Sequence, residues 1–316
     1  MDHQALVTLQ QHLLQTLPQA PNEARRLLHG RGRLWPGLEQ LTVDWLQGVL
    51  LVTLFRDPGE EWLAALRTTL QRLTASPVWA QCGARQLLLQ HRYRADCANE
   101  WLYGPPVERW QVEEEGLRYQ LELGRTQNSG LFLDMRLGRR WVREQAEGAR
   151  VLNLFAYTCA FSVAALAGGA QQVVNLDMSS AALARGRENH QLNDQELGRV
   201  RFLAHDLLKS WSKVARHGPY ELIIIDPPTF QRGSFVLEKD YRKVLRRLPA
   251  LLTERGRVLA CVNDPAIGSD FLIAEMAREA PELRFVERLA NPEEFADADP
   301  QGGLKALVFS RAWPPA

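Results

Sequence analysis

The chain has 316 residues, of which 46% are hydrophobic and 24% charged, with 22 glycines and 17 prolines, a composition that excludes disordered and collagen-like chains and has room for two domains, one of them large. A net charge of +1 excludes a strong whole-protein pull toward nucleic acid, so any such affinity must come from local patches. No apolar run reaches the roughly 18 residues of a membrane helix. Met1 to Pro21 is Gln-rich and lacks a signal-peptide pattern, and Cys82, Cys97, Cys159 and Cys261 lack CxxC spacing, which points to a reducing cytoplasm with no metal site.

Leu6, Leu9, Leu13, Leu14 and Leu17 recur near helical spacing before Pro18 and Pro21, so residues 1–34 read as a helical lead-in reaching about Leu28. A smaller N-terminal α+β domain is expected over residues 35–124. Its strands are Leu41–Trp45, Val49–Phe55, Gln86–His91 and Gly116–Leu123, and Trp62, Leu63, Leu66, Leu70 and Leu73 mark a helix over Glu60–Thr74. From Arg150 onward, apolar strands alternate with helical stretches, the pattern of a doubly wound parallel sheet. Strands are expected at Arg150–Phe155, Gln172–Asp177, Val200–His205, Tyr220–Asp226, Arg257–Asn263, Leu283–Leu289 and Leu304–Ala312. Only short loops join the last two, so the final strand should enter antiparallel. Seven strands with that ending predict an α/β fold, a Rossmann-like methyltransferase sheet over residues 125–316.

In such a sheet the ligand lies beyond the carboxyl ends of the strands. There the first strand gives Asn153, Phe155, Tyr157 and Thr158, the second gives Asp177, Met178 and Ser179, and the third gives Asp206 and Leu207. A carboxylate after the second strand suits ribose hydroxyls, Met178 suits an adenine face, and Asp206 suits an exocyclic amine. The turn through Thr158 leads into a helix whose start attracts a carboxylate. No GxGxxG follows the first strand, which counts against a dinucleotide and suits S-adenosylmethionine, a cofactor without a pyrophosphate. The plainer alternative is that Asp177 and Asp206 only cap helices.

The fourth strand ends in Asp226-Pro227-Pro228-Thr229-Phe230. Two prolines keep the backbone extended and remove two donors, leaving their carbonyls and Asp226 to accept from a substrate, while Phe230 can stack on a planar base. An ordinary strand-ending loop is the alternative.

With Pro36-Gly37-Leu38, Asp44, Gly130 to Arg136, Asn153 to Thr158, Asp177-Met178-Ser179, Asp226 to Phe230 and Gly303-Leu304-Lys305, the chain resembles, over Trp35 to Arg311, the large-subunit ribosomal RNA methyltransferases that act on cytosine carbon 5 or guanine nitrogen 7. The resemblance implies an RNA substrate and adds Ser129, Phe132 and Arg136 to the cofactor residues. The chain departs from the family at Cys159, where a glycine is usual, so that the side chain could crowd the cofactor or resist a positive φ. A short helical stretch also stands where the family carries an N-terminal RNA-binding domain.

Cytosine-type members resemble Ser-Cys-Ser after the fifth strand, where this chain aligns as Val262-Asn263-Asp264. Asn263 cannot be the nucleophile that carbon methylation requires, and Cys261 reads as buried. Guanine nitrogen 7 already carries a lone pair and needs chiefly orientation, which a site of Asp226, Pro227, Pro228, Phe230 and Asn263 supplies. Nitrogen 7 is therefore favoured over cytosine carbon 5. A methyltransferase of a small molecule or protein and a noncatalytic RNA-binding protein are the other readings. Three basic clusters, Arg25/Arg26/Arg31/Arg33, Arg136/Arg139/Arg140/Arg143 and Lys239/Arg242/Lys243/Arg246/Arg247, are either phosphate contacts or solvated faces. The sequence leaves the oligomeric state open.

Overall fold

The structure, a computed structural model, describes residues 3–96, 98–231 and 235–311. The chain divides into two units, Met1–Leu133 with Pro292–Pro300, and Asp134–Asn291 with Gln301–Ala316. Among the described residues no helix is long and apolar enough to cross a membrane.

In the first unit, α1 (His3–Thr16) stops before Pro18, as expected of a residue that cannot continue a helix. The lead-in does not stay helical to Leu28. Arg25–His29 is instead β1, the edge of a five-stranded sheet with β2 (Leu41–Trp45), β3 (Val49–Leu54), β4 (Gln86–His91) and β5 (Asn99–Tyr103). A strand so rich in arginine is held because Arg26 forks onto Asp44, its register partner on β2, at 2.5 and 3.2 Å. β3 and β4 run parallel, with α2 (Glu60–Thr74) and the short α3 (Pro77–Gln81) between them in the chain. Leu6, Leu9, Leu13 and Leu17 of the N-terminal segment are buried in one core with Trp62, Leu63, Leu66 and Leu70 of α2, so this segment is part of the unit's core. β6 (Arg109–Glu114) and β7 (Leu117–Glu122) form a hairpin, its two-residue turn at Glu115 and Gly116 having φ of 51° and 75°.

The segment Pro292–Pro300 returns to this first unit. Phe295 lies under the Arg26 guanidinium at 4.6 Å, Asp297 accepts from Arg33 at 2.9 Å, and the Ala298 amide donates to the Gly32 carbonyl at 2.8 Å. Gly32 is required there, since a Cβ would sit 2.0 Å from the Ala296 carbonyl oxygen.

The second unit opens with α4 (Arg136–Gln145) and continues through β8 (Arg150–Leu154), α5 (Ala160–Ala167), β9 (Gln172–Asp177), α6 (Ser180–Leu192), β10 (Val200–Ala204), α7 (Trp211–Ala215) and β11 (Tyr220–Ile225). It closes with the short pair β12 (Phe230–Gln231) and β13 (Phe235–Val236), then α8 (Leu237–Leu245), α9 (Leu248–Leu251), β14 (Leu252–Val262), α10 (Ser269–Glu279), β15 (Arg284–Arg288) and β16 (Lys305–Ser310). The seven-stranded sheet has the order β10-β9-β8-β11-β14-β16-β15. The expected antiparallel ending is present, with β16 antiparallel to both β14 and β15.

Successive residues of a strand face opposite sides of the sheet, and here both sides are covered. Ile223 and Ile225 pack with Tyr241, Val244 and Met276 on one side, while Leu222 and Ile224 pack with Val142, Phe161 and Ala165 on the other. Strand order reverses between β8 and β11, which sets a crevice at their carboxyl ends.

Leu9 is fully buried. Leu9→Ala should therefore lower the unfolding free energy in urea by about 2–4 kcal/mol; a loss below about 0.5 kcal/mol would show that α1 is peripheral to the core.

Candidate active site

The carboxyl ends of β8, β9 and β10 are tied together by hydrogen bonds. The Ala156 amide donates to the Leu176 carbonyl (3.0 Å) and the His205 amide to the Asp177 carbonyl (3.0 Å). The Asp177 carboxylate accepts from the Tyr157 amide and the Ser179 amide, both at 2.8 Å. Three residues of the loop after β8 sit in left-handed backbone: Phe155 (φ 59°), Tyr157 (φ 48°) and Cys159 (φ 60°). Such conformations cost about 1–3 kcal/mol each in a side-chain-bearing residue and gather where a ligand is gripped.

Cys159 takes the positive φ that a glycine would take easily, but its side chain does not crowd the crevice. The thiol is fully buried, and a Cβ on Gly186 of α6 would lie 2.3 Å from its sulfur, so the missing side chain at 186 is the space that Cys159 fills. Burial, and then the nearby Asp177, hold that thiol well above the ordinary range.

The expected cofactor residues divide into those at the strand ends and those turned elsewhere. Phe155, Tyr157, Asp177 and Asp206 are half-buried at the strand ends, while Met178 is 43% exposed there. Ser179 caps α6 through Ala182 N (3.1 Å), while Asp177 accepts from Ser179 N (2.8 Å) and Asp206 from Leu208 N (3.0 Å), local bonds of the kind that the capping alternative for Asp177 and Asp206 expects. Asn153, Thr158 and Leu207 are buried. Asn153 does not open toward a ligand: its amide donates to Asn175 (2.9 Å), beginning a buried chain through Ser162 and His190 to Gln195. Desolvation inside that chain lowers His190 to about 4. Ser129 and Phe132 belong to the first unit, and Arg136 begins α4.

The second group lies at the ends of β11 and β14. Pro227 is buried, Pro228 and Thr229 are exposed, and Asp226 keeps a partly exposed edge. Enough protein surrounds its carboxyl that desolvation raises it to about 7, helped by Asp134 and opposed by the buried Arg139. Asn263 is exposed, its amide 3.5 Å from Asp134. Asp134 and Arg139 were not singled out for this site by the sequence, and Arg139 was grouped with surface cations; its burial removes it from any exposed basic face. The side chain of Phe230, expected to stack on a base, lies outside the described residues. Cys261 is fully buried, and burial with Asp226 and Asp134 holds its thiol well above the ordinary range, so it is a core residue.

Among the described residues no cluster of His, Cys, Asp and Glu is placed to hold a metal. A surface cavity of about 720 Å³ lined by Pro281, Glu282, Arg284, Phe285 and Arg311 lies by the start of β15 and the end of β16, the opposite end of the sheet from this site.

A family model described as S-adenosylmethionine-dependent methyltransferase matches residues 25–310. The chain is 27% identical over 304 residues to YwbD of Bacillus subtilis, provisionally named a ribosomal RNA large subunit methyltransferase, covering 90% of this chain and 74% of that one. It is 40% identical over 157 residues to ribosomal RNA large subunit methyltransferase K/L of Shewanella frigidimarina; the match covers 48% of this chain and only 22% of that much longer relative. In three dimensions it is similar to SMU.776, provisionally described as a methyltransferase and crystallised with SAH, with a TM-score of 0.83 and 23% identity over 96% of this chain and 80% of that one. At that identity the likeness is one of fold.

Gly186→Ala should destabilise the protein markedly in thermal denaturation, and adding Cys159→Gly should recover most of the loss. A coupling of about 1–3 kcal/mol between the two sites is expected for groups in direct contact; strict additivity would disprove the fit. At Asp226 the folded protein keeps its proton up to about pH 7, whereas the unfolded chain releases it near pH 4. Ionising Asp226 thus weakens the fold as pH rises through that window. Asp226→Asn should raise the melting temperature at pH 8 and leave it nearly unchanged at pH 4.

Proposed function

Because the chain belongs to the S-adenosylmethionine-dependent methyltransferase family, we propose that it transfers the cofactor's methyl group to nitrogen 7 of a guanine in large-subunit ribosomal RNA. Its strand-end residues fit the cofactor. Asp177 presents a carboxylate already oriented by two backbone amides, the exposed Met178 offers a soft face for adenine, and the carboxylate of Asp206 lies at the neighbouring strand end. Ser129, Phe132 and Arg136 are proposed as further contacts. The bound sulfonium supplies an electrophilic methyl group.

The ribosomal RNA acceptor rests on the names of the relatives. The observation that carries the choice of nitrogen 7 is the desolvated Asp226 carboxyl, within electrostatic reach of Asp134, and the only thiol near them, among the described residues, is the buried Cys261. Methylation of nitrogen 7 makes the ring cationic and removes no proton, so the protein must orient the base and stabilise growing positive charge. A desolvated carboxylate at Asp226, with the half-buried Asp134 nearby, acts in that direction. Methylation of cytosine carbon 5 instead requires an accessible thiolate, and neither the burial nor the raised pKa of Cys261 supports that role.

With tritiated S-adenosylmethionine and unmodified ribosomal RNA, the label should be recovered as 7-methylguanosine; label in 5-methylcytidine or only in protein would defeat this reading. The rate should rise with pH through about 7 as Asp226 ionises, and Asp226→Asn should lose about 10²-fold in kcat together with that rise.

A further inference from the structure

Lys305, the first residue of β16, is fully buried although its side chain ends in a group that only donates. Register sets it opposite Val262, the last residue of β14, so it stands at the carboxyl end of that strand with the reacting residues. Its nitrogen donates to the Asp264 carbonyl at 2.6 Å and to the Gln301 carbonyl at 3.1 Å. The Asp264 carbonyl also accepts from the Ile267 amide (3.1 Å), and the Asp264 carboxylate accepts from the Ala266 amide (2.9 Å). The loop after β14 thus closes on itself and is pinned from β16. The Gln301 side chain holds the far end of the same loop, accepting from the Ser269 amide (3.2 Å) and hydroxyl (3.1 Å).

Burying a lysine nitrogen costs free energy that an apolar side chain of similar length would not incur, and it is tolerated only where acceptors are in place. What the lysine adds is direction. Pro265 favours extended backbone at Asp264 and leaves the peptide between them without an N–H; the bonds to the Asp264 carbonyl then fix how that peptide is turned. Asn263, one residue earlier, is exposed, with its amide 3.5 Å from the carboxylate of Asp134, which also acts on Asp226. Released from Lys305, the loop would let Asn263 turn away from Asp134, and a misplacement of about 1 Å in a group that orients a reactant can cost about 10²-fold in rate. We infer that Lys305 is a positioning residue for methyl transfer, holding the loop after β14 from behind so that Asn263 meets the acceptor base at a fixed place. The inference rests on the proposed base acceptor and names the element that aims its contact.

The test is a double-mutant cycle on the full chain, with tritiated S-adenosylmethionine and unmodified large-subunit ribosomal RNA. Lys305→Met should lower kcat about 10- to 100-fold while the KM for RNA stays within about twofold. Its S-adenosylmethionine affinity, measured by calorimetry, should match the wild type, which also checks that it is folded. Without cofactor, its Ile267 amide should exchange hydrogen about tenfold faster or more. In the Asn263→Ala background the same substitution should cost no more than about twofold, because residues that act as a unit are not additive. Losses that multiply in the double variant, or an unchanged kcat in Lys305→Met, would overturn the role of Lys305 alone. If Lys305→Met does not bind the cofactor, Lys305→Gln, which keeps a donor at shorter reach, takes its place in the cycle; failure of both to bind would make Lys305 a requirement of folding and overturn the inference. A wild type that binds the cofactor but labels no RNA would overturn the proposed acceptor and the positioning role together, leaving the exchange at Ile267 to report the pin alone.

Discussion

The Asp177 carboxylate holds two stretches of backbone that would otherwise separate. One oxygen takes the Tyr157 amide and the other takes the Ser179 amide, so the loop after β8 and the entry to α6 are fixed to a single side chain. Charge-assisted bonds of this kind are about twice as strong as neutral ones. The loop they hold carries three left-handed residues, whose cost must be met by the surroundings. The Cys159 sulfur in the gap at Gly186, the Asn189 amide on the Thr158 carbonyl (2.9 Å) and the Ala156 amide on the Leu176 carbonyl (3.0 Å) are further ties. The crevice is thus shaped before any ligand arrives, and binding need not first order the loop.

What the sequence made legible follows from what each residue does alone. The central strands of the large sheet are apolar runs because both faces are covered, as in Leu222-Ile223-Ile224-Ile225, and such runs stand out without knowledge of their neighbours. β1, β5 and β6 did not stand out, since they are polar segments stabilised by distant partners: Arg26 by Asp44, and Glu100 by Arg67 at 2.6 and 2.8 Å. Asn153 looked like a ligand residue because it is polar near a strand end. Its partner Asn175 lies opposite it on the adjacent strand, a pairing that only the sheet register reveals.

The same limit applies at the reacting end. The Asp-Pro-Pro run was visible, but the charge environment of Asp226 comes from Asp134 and Arg139, far earlier in the chain. Burial is the main reason the carboxyl is raised, with Asp134 adding to the shift and Arg139 opposing it. The basic clusters also changed character on folding. Arg139 went inside, while Lys243 and Arg246 paired with Asp240 and Glu279, both at 2.7 Å. Such pairing dilutes the positive field of α8.

The path of Pro292–Pro300 has a consequence for how the molecule is made. During vectorial synthesis the first unit emerges early with its Arg26 and Gly32 surfaces formed but without Phe295 or Ala298, which arrive only after most of the second unit has been translated. β15 likewise has no partner in its sheet until β16 follows. Neither unit is a contiguous stretch of chain, and a cut after Leu133 leaves the first without Pro292–Pro300 while the second keeps all of its residues. Completion of the first unit therefore waits for Pro292–Pro300, and completion of the large sheet waits for β16 after it.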